Sequence, residues 1–249
     1  MKIKQYECKW HNINFNELDT KLSLFSLADL DFYNKFYKQF FLRYDNFDDL
    51  SENWKTQKNK IAEVIEKILP KNSSVLSYGC GIGIIEKFIV KKRNDLHLDC
   101  FNFSDVASKW LKRDLSQIYF TTKHKDLKKY DYIFMVQLLY AIDDTEAINL
   151  FKKIKYFLKE NGRIIICNTS SKMIENDKNI KISITESLIY FFKNLLRPTY
   201  YFLFKKNTIQ FWGFRRDKKS YEIILKKAGF TIDKSFSNVK QLFQTFKVQ

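Results

Sequence analysis

The sequence has 249 residues, of which 45% are hydrophobic and 17% aromatic, enough for a packed core in one large domain, or in one domain with an insertion. It contains no run of about 18 uncharged apolar residues, so no membrane-spanning helix is expected. The 37 lysines and seven arginines outnumber the 28 acidic residues and give a formal net charge of +16. The basic residues are scattered along the chain and are mostly lysine, whereas phosphate and base recognition favours arginine. The charge therefore indicates biased composition more than a nucleic-acid partner.

The four cysteines have no spacing typical of a metal site, and we predict no bound metal. Three of them fall in or beside predicted buried strands, where a free thiol behaves as a small hydrophobic side chain. The N-terminal sequence lacks the apolar region of a signal peptide. Together these features predict a cytoplasmic protein with reduced cysteines.

Residues 1–70 are predicted to be mainly helical and to form a cap or lid. Leu, Phe and Tyr are frequent over residues 25–41, and apolar residues recur at helical spacing over residues 54–69. Pro70 and the polar residues after it end this region. Trp54 begins the last predicted helix and could close over a ligand; packing against the sheet is the alternative for most of these aromatic side chains.

A glycine-rich turn follows the helical region. Residues 75–83 read VLSYGCGIG, in which an apolar strand at 74–78 leads into three of the chain's six glycines and then into a helix at 83–92. Without a Cβ, a glycine backbone can approach a ligand closely, and the helix N-terminus offers unpaired N–H groups. This arrangement is typical of a nucleotide-like cofactor site in an open α/β sheet.

Strands and helices alternate after this turn, which predicts a parallel sheet covered on both faces. The later strands are predicted at 96–102, 118–122, 132–137 and 163–168, with helices at 105–115, capped by Ser104, and 144–158. An insertion at 170–209 interrupts the alternation and contains a helix-like aromatic stretch. A helix at 217–228 and strands at 230–236 and 239–247 complete a seven-stranded sheet whose last strand is antiparallel.

The order of these elements and several short sequences resemble the class I S-adenosylmethionine (SAM) dependent methyltransferases over residues 54–236. The similar stretches are the glycine-rich turn, FNFS at 101–104, YDYIF at 130–134 with LLY at 138–140, LKENGRIII at 158–166 and KAGF at 227–230. The resemblance implies a Rossmann-like SAM-binding domain at 71–249. It also implies that SAM contacts Trp54, Tyr78, Gly79, Cys80, Gly81, Gly83, Asn102, Phe103, Gln137 and Leu138.

Two positions depart from the pattern of this family. Ser77 stands where members usually have an acid before the first glycine, and Asn102 stands where an acid usually binds both ribose hydroxyls. An Asn side chain can accept from one hydroxyl and donate to the other, but without the strength of a charged carboxylate. We therefore expect SAM binding that is weaker than usual for the family, and a protein that no longer binds SAM is the alternative.

Candidate catalytic residues follow the strand at 132–137, where the carboxyl ends of the strands form a crevice. Tyr140 could orient an acceptor, and Asp143 could act as a base, although a helix N-cap is the favoured role for an Asp at that position. His124, in a lysine-rich loop, could approach the site as a general base, with simple solvation as the alternative.

The predicted function is methyl transfer from SAM to a small-molecule or glycan (nucleotide-sugar) acceptor. The stretch FWGFRR at 211–216 resembles bacterial methyltransferases of polysaccharide modification, and Arg215 and Arg216 could clamp an anionic group or simply be solvated. Aromatic and basic residues of the insertion could contact a sugar ring or a membrane surface. The alternatives are an RNA methyltransferase, which the net charge favours and the absence of an NPPY-like tetrapeptide disfavours, and a non-catalytic binding protein.

Overall fold

The computed structural model describes residues 2–168, 208–238 and 241–248, apart from the side chains of residues 237, 238, 241 and 242. Three short strands and two helices form the N-terminal region. They are β1 (Lys2–Glu7), β2 (Lys9–Trp10), β3 (Ile13–Asn14), α1 (Leu30–Arg43) and α2 (Glu52–Ile68). The prediction of a mainly helical N-terminal region was therefore wrong for its first 14 residues.

The partner of β1 explains why this strand was missed. β1 pairs antiparallel with β9 (Gln210–Arg216), so that Lys2 lies opposite Arg216. The two strands are separated by more than 200 residues of chain, and a pairing of that range leaves no turn sequence to predict it. Strands β2 and β3 form a two-residue hairpin whose turn places His11 and Asn12 at positive φ, 46° and 57°.

The main sheet has seven described strands and confirms the predicted fold. Beside β10 (Phe230–Asn238) and β11 (Gln241–Val248), its strands are β4 (Ser74–Tyr78), β5 (His97–Phe101), β6 (Tyr119–Thr121), β7 (Tyr130–Val136) and β8 (Leu158–Asn168). They follow the order β10-β11-β8-β7-β4-β5-β6. Neighbours from β8 to β6 are parallel, whereas β11 pairs antiparallel with both β8 and β10.

Helices cover both faces of this sheet. They are α3 (Ile84–Val90), α4 (Lys109–Asp114), α5 (Asp144–Ile154) and α6 (Lys218–Lys227), in addition to α1 and α2. Along β4, Val75 packs in the core with α1 to α4, whereas Leu76 and Tyr78 pack in the core with α5 and α6. Both sides of the strand are buried, which is why the parallel strands are almost continuously apolar.

Several boundaries differ from the predicted ones. The helix predicted to end at 158 ends at Ile154. β8 begins at Leu158, five residues before the predicted start of that strand at 163, and therefore includes Gly162. The helix predicted from 105 starts with a 3₁₀ turn at Val106–Ser108, and the Ser104 hydroxyl accepts the N–H of Ala107 as predicted. The insertion predicted at 170–209 lies almost entirely outside the described residues. None of the described helices is long and apolar enough to cross a bilayer.

Candidate functional site

The glycine-rich turn after β4 is built on positive φ angles. Gly79, Gly81 and Gly83 have φ of 85°, 57° and 85°, a region that side chains with a Cβ rarely adopt. The N–H groups of Gly79 and Cys80 donate to the carbonyl of Phe101, which fixes the turn against the end of β5. A Cβ added to Gly81 would meet only the Tyr37 hydroxyl, at 3.5 Å, because this residue faces open space.

That open space is a cavity of about 420 Å³ at the carboxyl ends of β4, β5 and β7. The N-terminal region covers it, since residues of the β2–β3 turn, α1 and α2 form much of its lining. Of the residues that the sequence predicted for the site, nine line this cavity: Trp54, Gly79, Cys80, Gly81, Asn102, Phe103, Gln137, Leu138 and Tyr140. A crevice at the switch point of an α/β sheet is where ligands of this fold class bind.

The other four predicted site residues do not line the cavity. Tyr78 points to the opposite face of the sheet from Ser77 and Gly79, because neighbouring strand residues face opposite sides. There its hydroxyl lies 2.7 Å from His124 Nε2, whose pKa is lowered by burial and by Lys153. Both residues pack away from the predicted ligand, against Phe101.

Gly83 and Asp143 have roles at helix ends. Gly83 is the N-cap residue of α3, and a Cβ there would lie 3.0 Å from Leu111. The Asp143 carboxylate accepts the N–H of Glu146, and the Glu146 side chain accepts the N–H of Asp143, which is a capping box at the start of α5. The capping role that the sequence favoured for Asp143 is the one found.

Asn102 directly follows β5, and its side-chain amide already forms one hydrogen bond within the protein. One N–H of its Nδ2 donates to the carbonyl of Ser104 at 3.1 Å, so Oδ1 and the second N–H are left for ligand hydroxyls. The sequence predicted that this amide would both accept from and donate to ribose hydroxyls. The structure leaves both halves of that role available, through Oδ1 and the second N–H of Nδ2.

Four aromatic residues form one wall of the cavity: Trp10, Tyr33 and Tyr37 of the N-terminal region, and Tyr140 after β7. We call this set the aromatic wall. The hydroxyls of Tyr33 and Tyr140 lie 3.4 Å apart, and burial raises the pKa of Tyr33 to about 12 and that of Tyr140 well above its usual value. Both hydroxyls therefore keep their protons at neutral pH. Trp212 of β9 stacks behind Tyr140 with ring centroids 5.7 Å apart.

His11 also lines the cavity, from the β2–β3 turn. Its ring lies 4.9 Å from Trp10 and from Trp54. Burial, together with the charge of Lys58, lowers its pKa to about 4, so the imidazole is neutral at physiological pH. Only the dipeptide His-Asn, which favours a tight turn, marked this position in the sequence.

β9 holds the loop that carries Tyr140. Arg216 is fully buried and donates to the carbonyls of Leu139 and Ile142 at 2.6 and 2.7 Å, and to the carboxylate of Asp144 at 2.9 Å. The sequence left an anionic ligand or solvent as partners of this arginine. The structure shows instead that Arg216 holds the loop that carries Tyr140, and so stabilises this part of the cavity wall.

Two buried charged residues complete the lining. Lys58 of α2 is 8% exposed and donates to Oε1 of Gln137, a residue held at a φ of 52° just after β7. Glu86 of α3 is 1% exposed and accepts from the hydroxyl of Ser77. Burial lowers the pKa of Lys58 to about 8 and raises that of Glu86 to about 7. In the described part of the chain, no cluster of three His, Cys, Asp or Glu could hold a metal ion.

Comparisons with known proteins agree with this fold. A family model described as a methyltransferase domain matches residues 53–235. The structure resembles magnesium protoporphyrin IX methyltransferase (ChlM) from Synechocystis, with bound S-adenosylhomocysteine (SAH), at a TM-score of 0.60 and 13% identity over 88% of this chain and 98% of that one. It also resembles 1,6-didemethyltoxoflavin-N1-methyltransferase from Burkholderia thailandensis, at a TM-score of 0.56 and 13% identity over 92% and 94%.

A third similar structure is the pyocyanin biosynthetic protein PhzM, with a TM-score of 0.55 and 12% identity over 77% of this chain. This chain spans 55% of the length of PhzM and 54–64% of three further methyltransferase structures. No curated protein matches the sequence. At these identities the structural likeness concerns the fold, and the family rests on the domain match.

Proposed function

The chain belongs to the class I SAM-dependent methyltransferase family, and on that premise we propose that it transfers a methyl group from SAM to a small-molecule acceptor bound against the aromatic wall. The observation that carries this proposal is the cavity itself, which joins the glycine-rich turn, Asn102 and the aromatic wall in one space. Its volume of about 420 Å³ lies within the range of small-molecule sites.

The residues present fit SAM. Gly81 turns an open backbone face to the cavity, where a nucleoside could lie close to the main chain. Asn102 Oδ1 is available to a ribose hydroxyl, and Trp54 of α2 lines the same cavity as the turn. When bound, SAM supplies an electrophilic methyl group on its sulfonium, so the protein needs no nucleophile of its own.

At the acceptor end of the cavity, side chains of this protein would bind and orient the methyl acceptor. The aromatic wall offers flat faces to a ring, and the protonated hydroxyls of Tyr33 and Tyr140 can orient a polar group on it. His11 is neutral there and can accept a hydrogen bond from an acceptor hydroxyl or amine. The N-terminal region lines this cavity and would limit the access of water to bound ligands.

The sequence left two other acceptor classes open. A nucleotide sugar could stack on the same aromatic faces, and it belongs in an acceptor panel beside phenolic and heteroaromatic compounds. RNA is less well matched, because Lys58 is the only Lys or Arg among the described residues that line the cavity. A cytoplasmic location remains part of the proposal, in keeping with the cysteines, which are present as free thiols.

Calorimetric titration with SAH tests the cofactor half of this proposal, with Gly81→Ala as the diagnostic variant. Alanine fits the empty cavity at Gly81, but its methyl group would stand where the ligand approaches the backbone, so we expect at least a tenfold loss of SAH affinity. Gly229→Ala is the matched control, since Gly229 has a φ of 83° outside the cavity and its added Cβ would meet the mobile end of Lys155.

The two glycine variants should lose similar stability, about 1 kcal/mol each for a side chain at positive φ, and differ only in SAH affinity. Absence of any heat change with the wild-type protein at high micromolar SAH would reject the proposal. For the acceptor, incubation with SAM and the panel, followed by mass spectrometry, should show a product heavier by one methylene for a ring-containing small molecule.

Asn102→Asp should tighten SAH binding about tenfold. A carboxylate makes charge-assisted hydrogen bonds to ribose hydroxyls that are roughly twice as strong as those of the neutral amide. The cost is the lost donation to the carbonyl of Ser104. The measurement is the calorimetric Kd of both proteins for SAH, with Asn34→Asp as a control next to the same loop; unchanged or weaker affinity in Asn102→Asp would place the ribose elsewhere.

A further inference from the structure

Lys58 and Glu86 are buried charges on the cavity wall that no other part of the fold explains. Charged side chains are almost never buried without a partner of opposite charge. Within the described residues, neither forms an ion pair closer than 4.0 Å, with each other or with any other residue. Both line the cavity, from α2 and α3, and they lie near enough for each to affect the pKa of the other.

The Glu86 carboxylate is only half satisfied. The Ser77 hydroxyl donates to Oε1, whereas Oε2 is buried with no hydrogen-bond partner among the described residues. An unpaired carboxylate oxygen in such a place costs stability unless a ligand supplies the donor. A ligand with a positively charged nitrogen would satisfy it.

The Lys58 ammonium is held in place with donors to spare. Gln137 accepts from one of the three N–H groups of Lys58, and the nitrogen lies 5.2 Å from the ring of Trp54. A ligand with a negatively charged oxygen would accept from the remaining donors. The two residues therefore match the two charges of an α-amino acid.

We propose that Glu86 binds the α-ammonium group and Lys58 the α-carboxylate of the amino-acid part of the cofactor. This inference rests on the proposed function and assigns residues to one end of the same site. Glu86 then takes the place of the acid that the glycine-rich turn lacks at Ser77, and the Ser77 hydroxyl orients it. The missing acid is thus supplied from α3, nine residues further along the chain.

The affinity for SAH should then depend on pH in a bell-shaped manner. Glu86 must be ionised to bind the ammonium, and Lys58 must be protonated to bind the carboxylate, so affinity should be highest at pH 7–8 and fall on either side. The other titratable groups facing the pair stay neutral between pH 6 and 8. His11 has a pKa near 4, which burial lowers from its usual value. Burial raises the pKa of Tyr37, Cys80, Cys100 and Cys167.

Calorimetry with three probes tests the assignment. SAH carries both charges, its decarboxylated analogue S-adenosyl-3-thiopropylamine carries only the amine, and 5′-methylthioadenosine carries neither. The wild-type protein should bind SAH at least tenfold more tightly than the decarboxylated analogue, and that analogue more tightly than 5′-methylthioadenosine. Lys58→Met should abolish the first difference, and Glu86→Gln should weaken SAH at least tenfold without changing the affinity for 5′-methylthioadenosine.

The double variant Ser77→Asp/Glu86→Gln should recover SAH affinity, because it restores an acid beside the same site. Equal weakening of SAH and 5′-methylthioadenosine in the single variants would assign Lys58 and Glu86 a structural role and overturn the inference. If a variant does not fold, the wild-type protein decides the matter: binding all three probes equally at every pH overturns the inference alone. Binding none of them overturns the proposed function as well.

Discussion

Replacing Gly213 with alanine should lower the free energy of unfolding by about 3–5 kcal/mol, through steric overlap and backbone strain together. Gly213 lies in β9 at a φ of 149°, and a Cβ there would overlap the carbonyl oxygen of Tyr140 and lie 2.8 Å from its carbonyl carbon. Both are main-chain atoms and cannot move aside without displacing the cavity wall.

Urea unfolding followed by circular dichroism measures this loss in Gly213→Ala. Gly229→Ala is again the control, because the atom that its Cβ approaches is the flexible end of Lys155. We expect the variant at Gly213 to lose at least 2 kcal/mol more than the control. A loss equal to the control would mean that β9 does not lie against the loop of Tyr140.

Arg216→Met should cost about 2–4 kcal/mol of stability and at least tenfold in kcat/KM for the acceptor. Methionine keeps the apolar stem of the side chain but leaves the carbonyls of Leu139 and Ile142 without their donor in a buried place. The partner Asp144 suffers less, since its side chain is 48% exposed and keeps Lys2 at 3.1 Å.

The effect of this substitution on activity should come through the loop that carries Tyr140. Loosening the loop disturbs the aromatic wall, so KM for the acceptor should rise while SAH affinity changes less than threefold. Arg163→Met is the control, because Arg163 is 40% exposed and its ion pair with Asp233 should be worth less than about 1 kcal/mol. A stability loss no larger than in that control would contradict the role assigned to Arg216.

Local signals in the sequence were enough to predict the sheet and the glycine-rich turn that lines the cavity. The apolar run of β4 and the three glycines after it act over fewer than ten residues, and glycine is required by backbone geometry whatever surrounds it. Asn102 and Gln137 follow from the same reasoning, because the carboxyl ends of parallel strands meet at one edge.

The sequence could not tell which face of the sheet each strand residue would take. β4 is buried on both sides, so its apolar run carries no alternation that would separate Ser77 from Tyr78. Tyr78 was therefore assigned to the ligand, but its side chain packs on the opposite face, where His124 from the loop after β6 also lies. The side of the sheet that each residue of β4 faces is decided by packing against helices that are distant in sequence.

The chain's sequence by itself determined the α/β sheet, the glycine-rich turn and the family, since each depends on residues close together along the chain. The tertiary structure alone decided that β1 joins β9, that Arg216 faces the loop of Tyr140, and that Lys58 and Glu86 line the same cavity. These contacts join segments far apart in sequence, and their partners are selected by burial and charge, which leave no local pattern to read.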